Sequence, residues 1–393
     1  MVRNVVVEIT HLLRKQGAGI GRKRLLSGLS RLRDAHDVLV RGAEAGRWPH
    51  LVLPDAEQVA SAHAIAAALH ARAPRLAVVG QPGAVAALRA ITEALGVRAP
   101  HWVTSPDAAT VPGLDGPDVA WLVLEGPAWV DHVAEWAVSS GRVVAVAGAG
   151  AHEAPPEGWW ISDPVAGDGR FGGLGLAGIV CAAWAGVDVG ALLAGARDMA
   201  AACTRPALFE NPAYTLALST IFVERDLGIS VVAHLATSGR MEAFCSWIVR
   251  MWGAVLADTV TVEGVVRHTG SAGVAGVVGD EELLQVLLVG PRDKLVAIWD
   301  VSDGVQGRGA EECVAQVNAF QDLVNRENLA NLRVRLPGLD ARTLGAAVLL
   351  AQHAAVSASL FLDLDPLGLS AVTAWYAALE RARADVDAAP RTA

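Results

Sequence analysis

One cation in this chain has the setting of an anion site. Arg170 lies in the run DPVAGDGRFGG, residues 163–173, which passes directly into the apolar stretch LGLAGIVCAAW. Glycines let backbone N–H groups approach a ligand closely, and a helix that follows turns its positive end toward it. The loop therefore suits a phosphate or a carboxylate. Asp168, two residues before Arg170, is also a ready internal partner, so the same arginine suits a structural ion pair. The segment GDGRFG meets the G-x-G-x-x-G spacing of dinucleotide loops as well. Its preceding strand WWIS is short and runs into Asp163-Pro164, and the expected acidic residue is missing because Asp188 falls between two helical runs. No nicotinamide or other cofactor is expected.

The elements that must hold this loop read as alternating strands and helices. RLAVVG, VAWLVLEG and RVVAVAG are short apolar strands, separated by the helical runs AVAALRAITEALG and WVDHVAEWAVSSG. Short loops between them imply a parallel sheet covered on both faces, with ligands at the carboxyl ends of the strands. Those ends are Gly80-Gln81-Pro82-Gly83-Ala84 and Glu125-Gly126-Pro127-Ala128. After a break near HEAPPEGWW the alternation resumes: GISVVAHLA, LLQVLLVG and KLVAIWDV read as strands, and AFCSWIVRMWGAVLA as a helix. The first seventy residues and those beyond about 310 read as helices. The expected class is α/β: two tandem parallel-sheet domains, residues 1–155 with a helical N-terminal arm and 156–310 with the arginine loop, then a helical segment 311–393 packing on both.

With 53% hydrophobic and 19% charged residues the chain has ample apolar material for two cores. A net charge of −9 argues against the basic stripe that a nucleic-acid surface would need; the cluster from Arg14 and Lys15 to Arg24 is the exception, and a solvated terminus is its simpler reading. Cys181, Cys203, Cys245 and Cys313 form no CxxC pair and sit in apolar runs, and the histidines show no ligand spacing, so neither disulfides nor a metal is expected. Gly, Pro or charge interrupts each long apolar run, and no secretory signal is visible; a cytoplasmic protein without membrane contact is the expectation.

The loop Gly169-Arg170-Phe171, the helix after it, the turn Ala185-Gly186-Val187-Asp188 and the next helix ALLAGARDM together resemble the glucose-6-phosphate isomerase family. The resemblance is best over residues 155 to 300. It implies two sugar-isomerase (SIS-type, flavodoxin-like) domains, a homodimer, and a sugar-phosphate or other small anionic ligand bound by Gly80, Gly83, Glu125, Gly126, Gly169, Arg170 and Phe171. Aldose–ketose isomerisation needs a base, a ring-opening acid, a cation for the enediolate and a phosphate cradle. Of these the resemblance retains Arg170. Ala84 replaces the serine of the first phosphate loop, and Glu125, Pro127 and Ala128 replace the hydroxyls of the second. Ala254 falls at the glutamate base and Thr373 at the C-terminal lysine. Glu281, or Glu282 with a one-residue slip, falls at the histidine, where a plain helix start capped by Asp280 is the simpler expectation.

Three functions follow from this pattern. The expectation is a catalytically degenerate relative with a binding or regulatory role; the alternatives are an active isomerase and an enzyme with altered chemistry on a non-phosphorylated substrate. An Arg170–Asp168 pair beneath a filled cleft would favour the first. A cleft gathering Glu125, Asp168, Asp258 and Glu281 would favour the third.

Overall fold

In the computed structural model the described residues are 5–14, 18–106, 113–114, 116–126, 128–150, 153–155, 158–257, 272–301 and 309–388. The strands are β1 (Val6–Glu8), β2 (Arg75–Val79), β3 (His101–Val103), β4 (Val119–Leu124), β5 (Val144–Gly148), β6 (Trp159–Ser162), β7 (Val231–Ala236), β8 (Ala272–Val277), β9 (Lys294–Asp300) and β10 (Asn331–Arg335). They form two five-stranded sheets, ordered β3-β2-β4-β5-β6 and β1-β10-β9-β7-β8. All pairs are parallel except β1 with β10. The first sheet is buried through β2 and β4 because both faces are covered, which is why RLAVV and VAWLVL read as continuous apolar runs.

The helices are α1 (Arg22–Leu26), α2 (Leu29–Glu44), α3 (Ala56–Arg72), α4 (Pro82–Leu95), α5 (Ala128–Ser139), α6 (Leu176–Trp184), α7 (Val189–Cys203), α8 (Pro212–Leu227), α9 (Glu242–Val255), α10 (Glu281–Leu288), α11 (Ala310–Arg326), α12 (Ala341–Phe361) and α13 (Ser370–Ala388). Their starts follow local chemistry. Asp55 and Gln58 form a reciprocal capping box on α3, Asp188 caps α7, Asn211 caps α8 ahead of Pro212, and Asp340 caps α12.

The largest apolar core runs from the inner face of one sheet to that of the other through α4, α6, α7, α8, α9 and α12. Smaller cores lie on the outer faces, one under α5 and one under α10 and α11. Helix α12 passes through the middle. It is the one helix among the described residues long and apolar enough to cross a membrane, and nearly all of it is packed inside the protein. Its approach to α7 depends on two glycines. A Cβ on Gly345 would stand 1.9 Å from the Leu192 carbonyl oxygen, and one on Gly195 would stand 1.8 Å from that of Arg342.

Three local expectations are corrected. LLQVLLVG is not a strand: Asp280 accepts the Leu283 N–H and starts α10, whose leucines at 283, 284, 287 and 288 turn one helical face inward. The strand beside β7 is β8 instead. The C-terminal segment is not wholly helical, since NLRVR forms β10 beside β9. The start of the chain is likewise not wholly helical, because Val6–Glu8 closes the edge of the second sheet.

Candidate functional site

Arg170 is 5% exposed, and every N–H of its guanidinium has a partner. Nε and Nη2 donate to the two oxygens of Asp168 at 3.0 and 2.9 Å. Nη1 donates to the carbonyls of Pro366 and Gly368 at 2.9 and 3.3 Å, and Nη2 also reaches that of Leu367 at 3.4 Å. Asp168 further accepts the Arg170 backbone N–H at 2.8 Å, which folds the loop tightly on itself. The loop between α12 and α13 thus lies directly over the arginine.

The rest of the arginine loop is fixed from three sides. Trp247 of α9 donates its indole N–H to the Gly169 carbonyl at 2.8 Å, and Gln352 of α12 donates to the Arg170 carbonyl at 3.0 Å. Gly169 lies so close to the start of α4 that an added Cβ would stand 2.3 Å from the Gly83 carbonyl carbon. This is a position where only glycine lets two backbones meet. Phe171 is buried and stacks on His50, with ring centroids 5.5 Å apart, and His50 in turn meets His353 of α12 at 3.2 Å. Burial, and secondly the neighbouring imidazole of His353, hold His50 well below its ordinary value. Burial also lowers His353 to about 4.

The other sequence candidates divide into near and far. Gly80 follows β2 and is buried; its N–H donates to the Val103 carbonyl at 3.1 Å. Gly83 and the buried Ala84 open α4 beneath the arginine loop. Glu125 and Gly126 follow β4, and Glu125 accepts the Ala149 N–H at 2.6 Å. Glu125, Gly126 and Asp168 line one cleft of about 500 Å³, together with Asp131, Tyr376 and Glu380. Burial first, then the carboxylates of Glu135 and Glu125, raises the Asp131 carboxyl. Among the described residues Arg383 is the sole basic one lining that cleft.

Glu281 and Glu282 lie elsewhere. Both are exposed in the first turn of α10, behind the Asp280 cap, and neither lines the acidic cleft. Ala254 occupies the last turn of α9, half-buried, with a methyl group where the resemblance would want a base. Thr373 is exposed on α13 and its hydroxyl donates back to Leu369. Asp258 falls outside the described residues. Among the described residues no group of three His, Cys, Asp or Glu side chains could hold a metal ion. Sequence reasoning missed Trp247, Gln352 and the carbonyls of residues 366–368. Of these only the polar pair Gln352-His353 inside an apolar helical run carried a visible signal.

No protein-family model matches the chain. It is 30% identical over 193 residues to the "Probable glucose-6-phosphate isomerase" of Halobacterium salinarum, covering 45% of this chain and 43% of that one. It is 24% identical to the protein so described in Natronomonas pharaonis, over 80% of each chain. A glucose-6-phosphate isomerase from Chlamydia trachomatis superposes with a TM-score of 0.72 at 15% identity, over 85% of this chain and 74% of that one. The chain is similar in sequence to proteins described as glucose-6-phosphate isomerases and shares the fold of one of them. Its match spans less than half the length of the Halobacterium relative, while the superposition extends the sugar-isomerase fold across most of the chain.

Proposed function

We propose that this chain is a member of the glucose-6-phosphate isomerase family that serves as a non-catalytic scaffold with a binding or regulatory role, rather than as an aldose–ketose isomerase. The observation that carries this reading is the saturation of Arg170. A guanidinium stabilises an enediolate or a phosphate through N–H groups aimed at the developing charge, and here all five are engaged by Asp168 and three backbone carbonyls. Recruiting Arg170 would require lifting the 366–368 loop and separating a buried ion pair. The methyl of Ala254 offers no base, and Glu281 stands on the exposed end of α10. Each such group ordinarily contributes a factor of roughly 10² or more to rate.

A coupled assay of fructose 6-phosphate to glucose 6-phosphate tests this, run beside an Arg170→Ala control. Turnover at background in both proteins is expected. Turnover above background that disappears in the control would overturn the reading.

The acidic cleft supports a second reading, an enzyme with altered chemistry on a non-phosphorylated, cationic substrate. Four carboxylates (Glu125, Asp131, Asp168 and Glu380) line it with one arginine. Stabilisation by an unphosphorylated amino sugar but not by glucose would favour it. We also propose a homodimer. Leu369, just before α13, and Val372 and Trp375 on it expose apolar surface at three-residue spacing, with Trp375 61% exposed.

A further inference from the structure

A second cleft, of about 610 Å³, lies between α4 and α9. That is within the roughly 300–1,000 Å³ of small-molecule sites. It shares no lining residue with the acidic cleft, and neither Arg170 nor Asp168 reaches it. One wall is a single face of α9 and the turn before it: Arg240, Ala243, Ser246 and Arg250, spaced by three or four residues. The other is the α4 face of Val85, Ala86 and Arg89, with Thr104 at the end of β3.

The charges in this cleft differ in what they already hold. Arg89 donates to Glu93 at 2.8 Å, and Glu93 also accepts the Trp102 indole N–H at 3.1 Å, so that pair is internally neutral. Arg240 and Arg250 are exposed and form no ion pair among the described residues. Among the described residues Glu242 is the one other carboxylate lining the cleft, which leaves it a positive excess in a chain whose net charge is −9. Arg250 lies about 12 Å along α9 from its first residue, Glu242, and Arg240 stands in the turn before that, so the two arginines are roughly 15 Å apart along the axis. That spacing suits the two ends of an elongated ligand better than a single phosphate. Between them lie the Ser246 hydroxyl and the small apolar surface of Ala243, Val85 and Ala86, which can receive an uncharged middle.

We propose that this groove binds a small elongated molecule of sugar-bisphosphate size with an anionic group at each end. The inference goes beyond the proposed function, since it uses none of the arginine loop. Titration calorimetry on the full chain tests it, with fructose 1,6-bisphosphate, fructose 6-phosphate and inorganic phosphate as probes at matched ionic strength. The bisphosphate is expected to bind at least about tenfold tighter than either other probe. The double variant Arg240→Ala/Arg250→Ala should lose that advantage, while Arg240→Lys/Arg250→Lys keeps most of it and Arg326→Ala, on distant α11, changes nothing. Equal affinity for mono- and bisphosphate, no bisphosphate binding at millimolar concentration, or full retention in the double alanine variant would each overturn the proposal. Isomerase turnover measured on the same proteins reads the proposed function separately, because neither outcome there depends on Arg240 or Arg250.

Discussion

Acidification should destabilise this protein well before its carboxylates titrate. His234 in β7 accepts the Trp299 indole N–H on Nδ1 at 3.1 Å, and His50 Nε2 meets His353 Nδ1 at 3.2 Å. Both arrangements need unprotonated acceptor nitrogens: a proton on His234 Nδ1 would face a donor, and protonating both rings of the pair would set two buried cations side by side. Burial lowers His234 to about 3 and His353 to about 4. In the unfolded chain each imidazole returns to about 6.5. Above that value neither state binds a proton and the contribution to stability is complete. Below it the unfolded chain takes up protons that the folded protein refuses, so stability falls as the pH drops toward the folded values. About pH 5 lies roughly 1.5 units down, and at about 1.4 kcal/mol per unit His234 and His353 each cost about 2 kcal/mol, about 4 kcal/mol together.

The measurement is the urea unfolding free energy between about pH 8 and about pH 5. A plateau above neutrality and a fall of about 4 kcal/mol or more is expected, with His353→Gln removing its share of the slope while lowering the plateau. Asp163 works in the opposite sense, because burial raises its carboxyl and acid relieves it, but it acts nearer the carboxylate range. A flat profile down to about pH 5 would refute the neutral, desolvated imidazoles and with them the packing of Phe171 on His50.

Three further perturbations read other parts of the structure. Asp168→Asn should lower unfolding free energy by roughly 3 kcal/mol, because it strands a buried guanidinium; denaturation that matches the parent within about 0.5 kcal/mol would show the pair to be dispensable. Gly345→Ala should abolish soluble folded protein or lower the thermal midpoint sharply, since its methyl has only the Leu192 backbone to enter, and a variant melting with the parent would contradict the α7–α12 packing. Cys181, Cys203 and Cys245 are buried with thiols raised by desolvation, Cys203 to about 12, so an aromatic disulfide reagent should label Cys313 alone in the native protein. Labelling of a second thiol before unfolding would indicate an opened core.

The legible features were those whose cause is local. The apolar runs of β2, β4, β7 and β9, the glycine loop and the Asp168–Arg170 pair all lie within a few residues of the groups that determine them. The eight-residue run LLQVLLVG was ambiguous for a physical reason: a short apolar stretch fits a buried strand or one face of a helix, and only the Asp280 cap separates them. Strand β1 and strand β10 pair residues separated by more than three hundred positions, Val6 with Arg335, and each is too short to declare itself without its partner. The same distance hid the chemistry around Arg170. His50 meets His353, and the carbonyls that complete the guanidinium come from residues 366–368. Backbone carbonyls carry no side-chain signature at all.

Those carbonyls matter more to function than any substitution visible in the motif. A retained Gly-Arg-Phe segment suggests a retained anion site when it is read alone. The distinction between a catalytic and a structural arginine lies in how many of its donors remain unengaged, because a charge already neutralised by Asp168 has little field left for a dianion. Under the proposed function Arg170 serves the fold, joining the loop to α12 and the chain's C-terminal segment. Arg240 and Arg250 are the reverse case: their guanidinia are exposed on one wall of a cleft without an ion-pair partner among the described residues. If this chain still recognises a phosphorylated ligand, electrostatics favours the α4–α9 groove over the inherited loop.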